Sequence, residues 1–302
     1  MLKSYAKINL TLNVTDKLSN GYHLLDSLMS YIDLYDEIDI KQNDIGRHQI
    51  FVNSDQVSKF GSGVIEIHDN LIYRSISRFE IYYNITKPKY FSINHKKNIP
   101  IGAGLGGGSS NAAVVFNYLY DTYGIRESLE NKIKIIKDLG ADIPFFLTGN
   151  SKYVSGIGEI LGNDCFFPNL PILLVKPPIS LLTKDVFQIL TKDMFRLEQK
   201  ERVKSLDVEE IFNHVSNLGN DLRGVAQTLC AEIKEILDVK NNKIDFISEM
   251  SGSGPTCFFL FQNEEGCYEM KKILENRFPG FFILKTSLLN RVLVRGNDSI
   301  MQ

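Results

Sequence analysis

The sequence predicts a two-domain α+β protein. Three observations carry that reading: a strand pattern of period two near the start, amphipathic helices in the middle, and a proline-marked break after which helical and strand-like runs alternate again. The 302 residues, 43% hydrophobic and 23% charged, are sufficient for two ordinary cores.

Each element follows from local pattern. From Ala6 to Val14 the residues Ala6, Ile8, Leu10, Leu12 and Val14 alternate with Lys7, Asn9, Thr11 and Asn13. This is the spacing of a half-buried strand, and it puts Lys7 and Asn9 on one face. Asn20-Gly21 marks a turn, and a second strand-like region ends near Ile40. Residues 41–63 are polar and irregular, predicted as loops around short strands. In "NIPIGAGLGGGSSNAAVVF" five of the seven residues from Gly102 to Gly108 are glycine. Ala112, Ala113, Phe116, Leu119, Tyr120 and Tyr123 then recur at helical spacing, and Gly124 stops the helix. Ser109 or Ser110 is its expected N-cap. A second helix is predicted over about 128–139, with Leu129, Ile133, Ile136 and Leu139 on its apolar stripe. Pro144 in "ADIPFFLTG" suits the first turn of another helix and places Asp142 at its start. "FFPNLPILLVKPP" combines prolines with an apolar run and sets the boundary between domains 1–167 and 168–302. Beyond it, helices are predicted near 183–197 and 221–239, strands at 256–261 and 281–284, and a final strand from Arg291 that either half could hold.

Composition narrows the function. A formal net charge of −2 gives no global pull toward nucleic acid or an anionic membrane, which favours a small-molecule partner. The four cysteines lie far apart without ligand spacing, so neither a zinc site nor a disulfide framework is expected and a reduced, cytoplasmic setting fits. The first residues gather no signal-peptide core, and no window reaches the roughly 18 apolar residues of a membrane span. A glycine run that opens a helix offers backbone N–H groups and the positive end of the helix dipole to a phosphate, and lets its oxygens come close. The chain has no Gly-Lys dipeptide, which excludes a Walker A loop. "NHKKNIPIGAG", with Pro100 in its middle, is a poor strand for a dinucleotide fingerprint.

"PIGAGLGGGSSNAA" resembles the second motif of the GHMP small-molecule kinases. "AKINLTLNV" with "GYHLLDSLM", "GADIPFFLTG" with "GIGE", and "MSGSGPTCFFLF" match further family motifs in the expected order, from Tyr5 to about Phe261. The resemblance implies an N-terminal ribosomal-protein-S5-like domain, a C-terminal ferredoxin-like domain and an active site in the cleft between them. It implies transfer of the γ-phosphoryl group of ATP to an alcohol, with Asp142 as general base and Lys7 orienting it. Pro100, Gly102, Gly104, Leu105, Gly106, Gly107, Gly108, Ser109 and Ser110 would cradle the phosphates, with Asn70, Leu71 and Lys97 near the nucleotide. Mg²⁺ is expected with ATP, its protein ligands unassigned.

For the acceptor, the resemblance implies a cytidyl diphosphate sugar alcohol. Tyr22 and His23 would recognise cytosine, Phe187 would stack on its other face, and Asn9, Thr183, Gly252, Gly254 and Asp142 would lie on the substrate side. A monomer or weak homodimer is expected. Glu159 of "GIGE" matches the pattern with no role attached, and "DKLSNGYH" departs from the family's Arg/Asp-rich turn. By pattern alone Lys7 equally fits a solvated strand face, Asp142 a helix cap, Tyr22 and Phe187 core packing, and Gly252 and Gly254 a tight turn. Two competing functions are another acceptor, such as homoserine or mevalonate, and a non-catalytic nucleotide-binding module. Gly-Tyr-His beside the long glycine run opposes the first, and the joint presence of Lys7 and Asp142 opposes the second.

Overall fold

Two long strands, β1 (Leu2–Lys17) and β2 (His23–Asn43), form an antiparallel hairpin on which the site is built. The computed structural model describes residues 1–53, 69–196 and 202–294. Bulges after Tyr5, Asn9 and Val14 interrupt the register of β1, and such irregularities re-aim side chains along a strand. The predicted alternation holds for direction but not for exposure: every residue from Ala6 to Val14 is buried. The polar face of this strand is covered by the glycine loop at Lys7, by Gly252 at Asn9 and by Leu218 and Asp221 at Asn13, so it is not the solvated face that period two suggested.

On one side of β2 lie β3 (Gln49–Asn53) and β4 (Tyr90–Lys96), parallel to each other, with β4 antiparallel to β2. The hairpin of β5 (Lys152–Gly156) and β6 (Ile160–Asp164) also pairs along β2. Helices Leu71–Tyr82, Gly107–Tyr123 and Leu129–Ile136 bury Ile76, Phe79, Phe116 and Leu119 with Ile38 and Ile93 of the sheet. The first of these helices, capped by the Asn70 side chain, carries no sequence prediction above. In Leu129–Ile136 the buried positions are Lys132, Ile135 and Ile136, while Leu129 is exposed, so the predicted stripe is rotated. A 3-10 turn at Lys137–Leu139 ends this helix earlier than expected.

In the second half β7 (Leu170–Lys176), β8 (Phe246–Met250), β9 (Cys257–Phe261) and β10 (Phe282–Leu289) lie in the order β10-β7-β9-β8, all antiparallel. With helices between β7 and β8 and between β9 and β10, this is the split βαβ topology implied by the resemblance. Leu288 and Leu289 of β10 also pair with β2, so one ten-stranded sheet runs through both halves. β10 ends at Leu289 and Arg291 makes an isolated bridge to Asn150, while the part of the strand predicted from Arg291 that falls beyond residue 294 lies outside the described residues. The helix predicted over 183–197 stops at Ile189, and Leu197 lies outside the described residues. The one predicted over 221–239 is broken by an extended Cys230 into Leu222–Leu229 and Ala231–Leu237. Helix Val208–Leu218, opened by an Asp207–Glu210 capping box, is an addition, as is helix Glu264–Arg277. Among the described residues no helix is long and apolar enough to cross a membrane.

Candidate active site

The site begins on β1. Lys7 is 4% exposed, and its ammonium lies 2.5 Å from Asn9 Oδ1 and 3.4 Å from Asp142 Oδ2. Asn9 is itself fixed: its Nδ2 donates to Ser27 Oγ at 2.8 Å, and that hydroxyl donates to the Thr11 carbonyl at 2.5 Å. The amide oxygen is thereby left to face Lys7. Asp142 sits at the start of helix Ile143–Phe146, where Pro144 occupies the first turn as expected. Its side chain remains 29% exposed, so Lys7 is sequestered while Asp142 reaches the open cleft.

The glycine loop crosses directly over this pair. Gly102, Gly104 and Gly106 all have positive φ, at 62°, 73° and 69°, which L side chains adopt only with strain. Space is equally restrictive, since a Cβ on Gly104 would lie 2.8 Å from the Ser251 carbonyl oxygen and one on Gly106 would lie 3.0 Å from Lys7 Cγ. The Leu105 carbonyl accepts the Lys7 backbone N–H at 3.0 Å, tying loop to strand, while its side chain is buried in the core. Helix Gly107–Tyr123 begins three residues earlier than a Ser109 cap would set it, and four earlier than a Ser110 cap, with Gly106 as N-cap and no side-chain cap. The left-handed Gly106 makes that early start possible. The leading N–H groups of this helix have no intrahelical acceptor, as at any helix start, and here no side chain takes their place.

From the other half comes the turn Ser251–Gly254. Gly252, at φ 59°, lets the backbone pass so close that a Cβ would meet Asn9 Oδ1 at 3.3 Å and Lys7 Nζ at 3.8 Å. Ser251 Oγ accepts from the Asn9 N–H at 3.2 Å and donates to the Gly104 carbonyl at 3.4 Å. Ser253 and Thr183 hydroxyls meet at 2.9 Å. These serines have no place in the sequence reading, although they alternate with Gly252 and Gly254 in the same short string.

Together these groups line a cleft of about 460 Å³ that includes Lys7, Asn9, Asp142, Leu71, Pro100, Thr183, Phe187 and the loop from Gly102 to Ser109. An adjoining pocket of about 670 Å³ shares Thr183 and Phe187 with it and adds Tyr22, His23, Lys17 and Gln188. Tyr22 is exposed, whereas His23 is buried and its Nε2 has no hydrogen-bond partner among the described residues. Burial, with the Lys17 charge, lowers the His23 pKa. The His23 and Phe187 rings stack with centroids 5.2 Å apart, and Phe195 meets His23 edge-on at 5.8 Å. A base therefore cannot slot between His23 and Phe187.

Three predicted contacts point elsewhere. Asn70 Oδ1 caps its own helix by accepting from the Ile72 N–H at 2.9 Å. Ser110 is buried and accepts from Ser4 Oγ at 2.7 Å. Gly254 precedes a cis proline, and its missing Cβ makes room for Met250 Sδ, not for the cleft. Lys97 lines the cleft, yet its ammonium is engaged with the buried Asp36 carboxylate at 2.9 Å. Glu159 acquires a place: its Oε2 accepts from the Ile157 N–H at 2.7 Å and closes the β5–β6 tip, and Ile157 lines the cleft with Asp142.

The arrangement fits a phosphate group, through a cradle that Cβ atoms would fill, and it fits proton transfer, through an exposed carboxylate beside a sequestered ammonium. Among the described residues no cluster of three or more His, Cys, Asp or Glu could hold a metal ion.

The GHMP kinases N terminal domain family matches residues 70–150, and the GHMP kinases C terminal family matches residues 202–280. A 4-diphosphocytidyl-2-C-methyl-D-erythritol kinase of Thermoanaerobacter sp. (strain X514) is 33% identical over 94% of this chain and 95% of its own. One from Francisella philomiragia subsp. philomiragia is 36% identical over 87% of each chain. A crystal structure of a 4-(cytidine 5'-diphospho)-2C-methyl-D-erythritol kinase superposes with a TM-score of 0.71 at 26% identity, covering 95% of this chain and 98% of that one.

Proposed function

This chain belongs to the GHMP kinase family, and on that premise we propose that its cleft phosphorylates the 2-hydroxyl of 4-diphosphocytidyl-2-C-methyl-D-erythritol, using ATP, in isoprenoid precursor biosynthesis. The observation that carries the proposal is the 3.4 Å meeting of Lys7 and Asp142 between a glycine cradle and an aromatic pocket.

The residues divide the task. Phosphoryl transfer depends mostly on positioning and on opposing the charge that spreads over the transferred oxygens. Gly102 to Ser109 would hold the triphosphate of ATP, which supplies the phosphoryl group. Asp142 takes the acceptor hydroxyl proton, and Lys7, held by Asn9, keeps positive charge beside the reacting oxygen. Tyr22, His23 and Phe187 hold the cytosine, leaving the sugar alcohol to reach toward Asp142. Mg²⁺, entering with the nucleotide, would neutralise the phosphates; among the described residues the cleft lining offers it one carboxylate, Asp142. The lobes 1–167 and 168–302 close on this cleft in a cytoplasmic monomer or weak homodimer. Four buried, unpaired cysteines support the reducing setting.

A coupled ADP-release assay offering the cytidyl substrate, homoserine and mevalonate separately tests the reading. Turnover with the cytidyl substrate alone is expected. Preference for either of the others would assign a different acceptor to the same fold.

A further inference from the structure

We propose that Asp36 is a positioning residue for the phosphate-binding loop, fastening the loop entrance and the following helix to β2. The inference rests on the reading that the loop receives ATP. Asp36 is fully buried. Its Oδ1 accepts from the backbone N–H groups of Asn98 at 2.7 Å and Ile99 at 2.8 Å. Its Oδ2 accepts from Lys97 Nζ at 2.9 Å and Asn111 Nδ2 at 2.9 Å, with His95 Nε2 at 3.0 Å. Asn98 adds a second tie to β2 by donating to the Tyr35 carbonyl at 2.8 Å.

Among the described residues, every group bonded to this carboxylate comes from residues 95–111, the two flanks of the glycine loop. Ile99 and Asn111 are thus clamped to one point, with the glycine segment between them. The clamp also reaches the helix start through packing, because a Cβ on Gly107 would come within 3.0 Å of Ile99 Cγ2. A loop so rich in glycine has few side chains of its own to fix its path, Ala103 and Leu105 being the ones buried in the core. A buried, hydrogen-bonded carboxylate at its base supplies what the loop lacks, since hydrogen bonds to an ionised acceptor are roughly twice as strong as neutral ones. Lys97 accordingly serves the loop by neutralising Asp36.

The test uses Asp36→Asn, Asn111→Ala and, as a control for general destabilisation, Met270→Ala in the remote second-half core. Calorimetric titration of a non-hydrolysable ATP analogue and hydrogen exchange of amides 99–107 in the ligand-free chain are the readouts. In Asp36→Asn the analogue Kd is expected to rise about tenfold or more and the loop amides to exchange faster, with KM for the cytidyl substrate within about twofold of wild type. Equal increases in the ATP and acceptor KM values, or the same Kd change in Met270→Ala, would overturn the proposal. If Asp36→Asn does not fold, Asn111→Ala still unties the helix flank while leaving Asp36 with Lys97 and His95, and unchanged Kd and exchange there would equally overturn it. Wild-type binding of the analogue and turnover of the cytidyl substrate test the functional reading by themselves, apart from any variant.

Discussion

Lys7 would be a costly interior residue without partners, because a buried ammonium needs both charge and hydrogen-bond compensation. Asn9 and Asp142 supply them, and only Asp142 extends to the open cleft. Replacing it by Asn keeps shape and removes the proton acceptor, so kcat should fall by ~10²–10⁴ with KM for ATP nearly unchanged. Unaltered turnover in Asp142→Asn would exclude it as the base. Phe187→Ala should raise KM for the cytidyl substrate and leave KM for ATP alone, since stacking is worth ~1–3 kcal/mol per base. Because His23 leans on the same ring, Phe187→Tyr should retain most of the affinity. Equal loss for both substrates would instead indicate collapse of the pocket. Motifs singled out Lys7, Asp142, Tyr22, His23 and Phe187, which the structure gathers at one cleft and its adjoining pocket, but side-chain direction was not legible. Ser109 and Ser110 are neighbours, yet one lines the cleft and the other is buried against Ser4. Lys97 similarly lies beside the loop in sequence and spends its charge on Asp36.

Among the elements, the glycine loop shows that a residue type can be required for two separate reasons. Gly104 needs both a left-handed backbone and an empty Cβ position against the Ser251 and Gly254 carbonyls. Gly124 ends the helix with φ 64° but meets nothing within 4 Å. Gly124→Ala should therefore cost only the ~1–2 kcal/mol of left-handed strain, with catalysis intact. Gly104→Ala should exceed that loss in thermal stability and also weaken ATP binding, because it pushes the loop off the second-half turn. Equal stability loss in the two variants, read by calorimetry, would refute the steric part. The start and stop signals for these elements were local, which is why Gly124 and Pro144 were read correctly. The rotated face of Leu129–Ile136 was not local: Lys132 is buried because Asn117 Oδ1 and the Tyr120 ring receive its ammonium.

For the whole molecule, burial decides how charge and thiols respond to pH. Burial pushes the Asp36 carboxyl up, but the His95 hydrogen bond, the Lys97 charge and the bonds from Ile99 and Asn111 outweigh it and hold the group at about 2, against an ordinary 3.8. A carboxyl lowered on folding contributes stability that is present above its unfolded pKa and lost as pH falls through the folded one. Wild type should therefore lose stability between about pH 4 and pH 2 in excess of Asp36→Asn, as chemical denaturation across that range would reveal. An identical acid profile for the two would contradict the buried anion. All four cysteines are buried, and burial raises Cys165 and Cys230 to about 11 and Cys267 to about 12. A thiol reagent at neutral pH should leave the native protein unmodified over minutes and label four sites in denaturant. Rapid labelling of the native chain would mean that the cores holding these thiols open readily, the one around Cys165 or the one around Cys230, Cys257 and Cys267. What the sequence by itself determined is the set of parts: a glycine run that opens a helix, a lysine and an aspartate, a group of aromatic residues and the α+β alternation, all encoded in residue types at short spacing. What only the tertiary structure decided is which groups meet. β10 joins both halves into one sheet, Ser251 and Gly252 close on Lys7 and Asn9, and Asp36 gathers residues 95–111. Those contacts join residues far apart in the chain, and their formation depends on packing and backbone path, which short-range patterns do not encode.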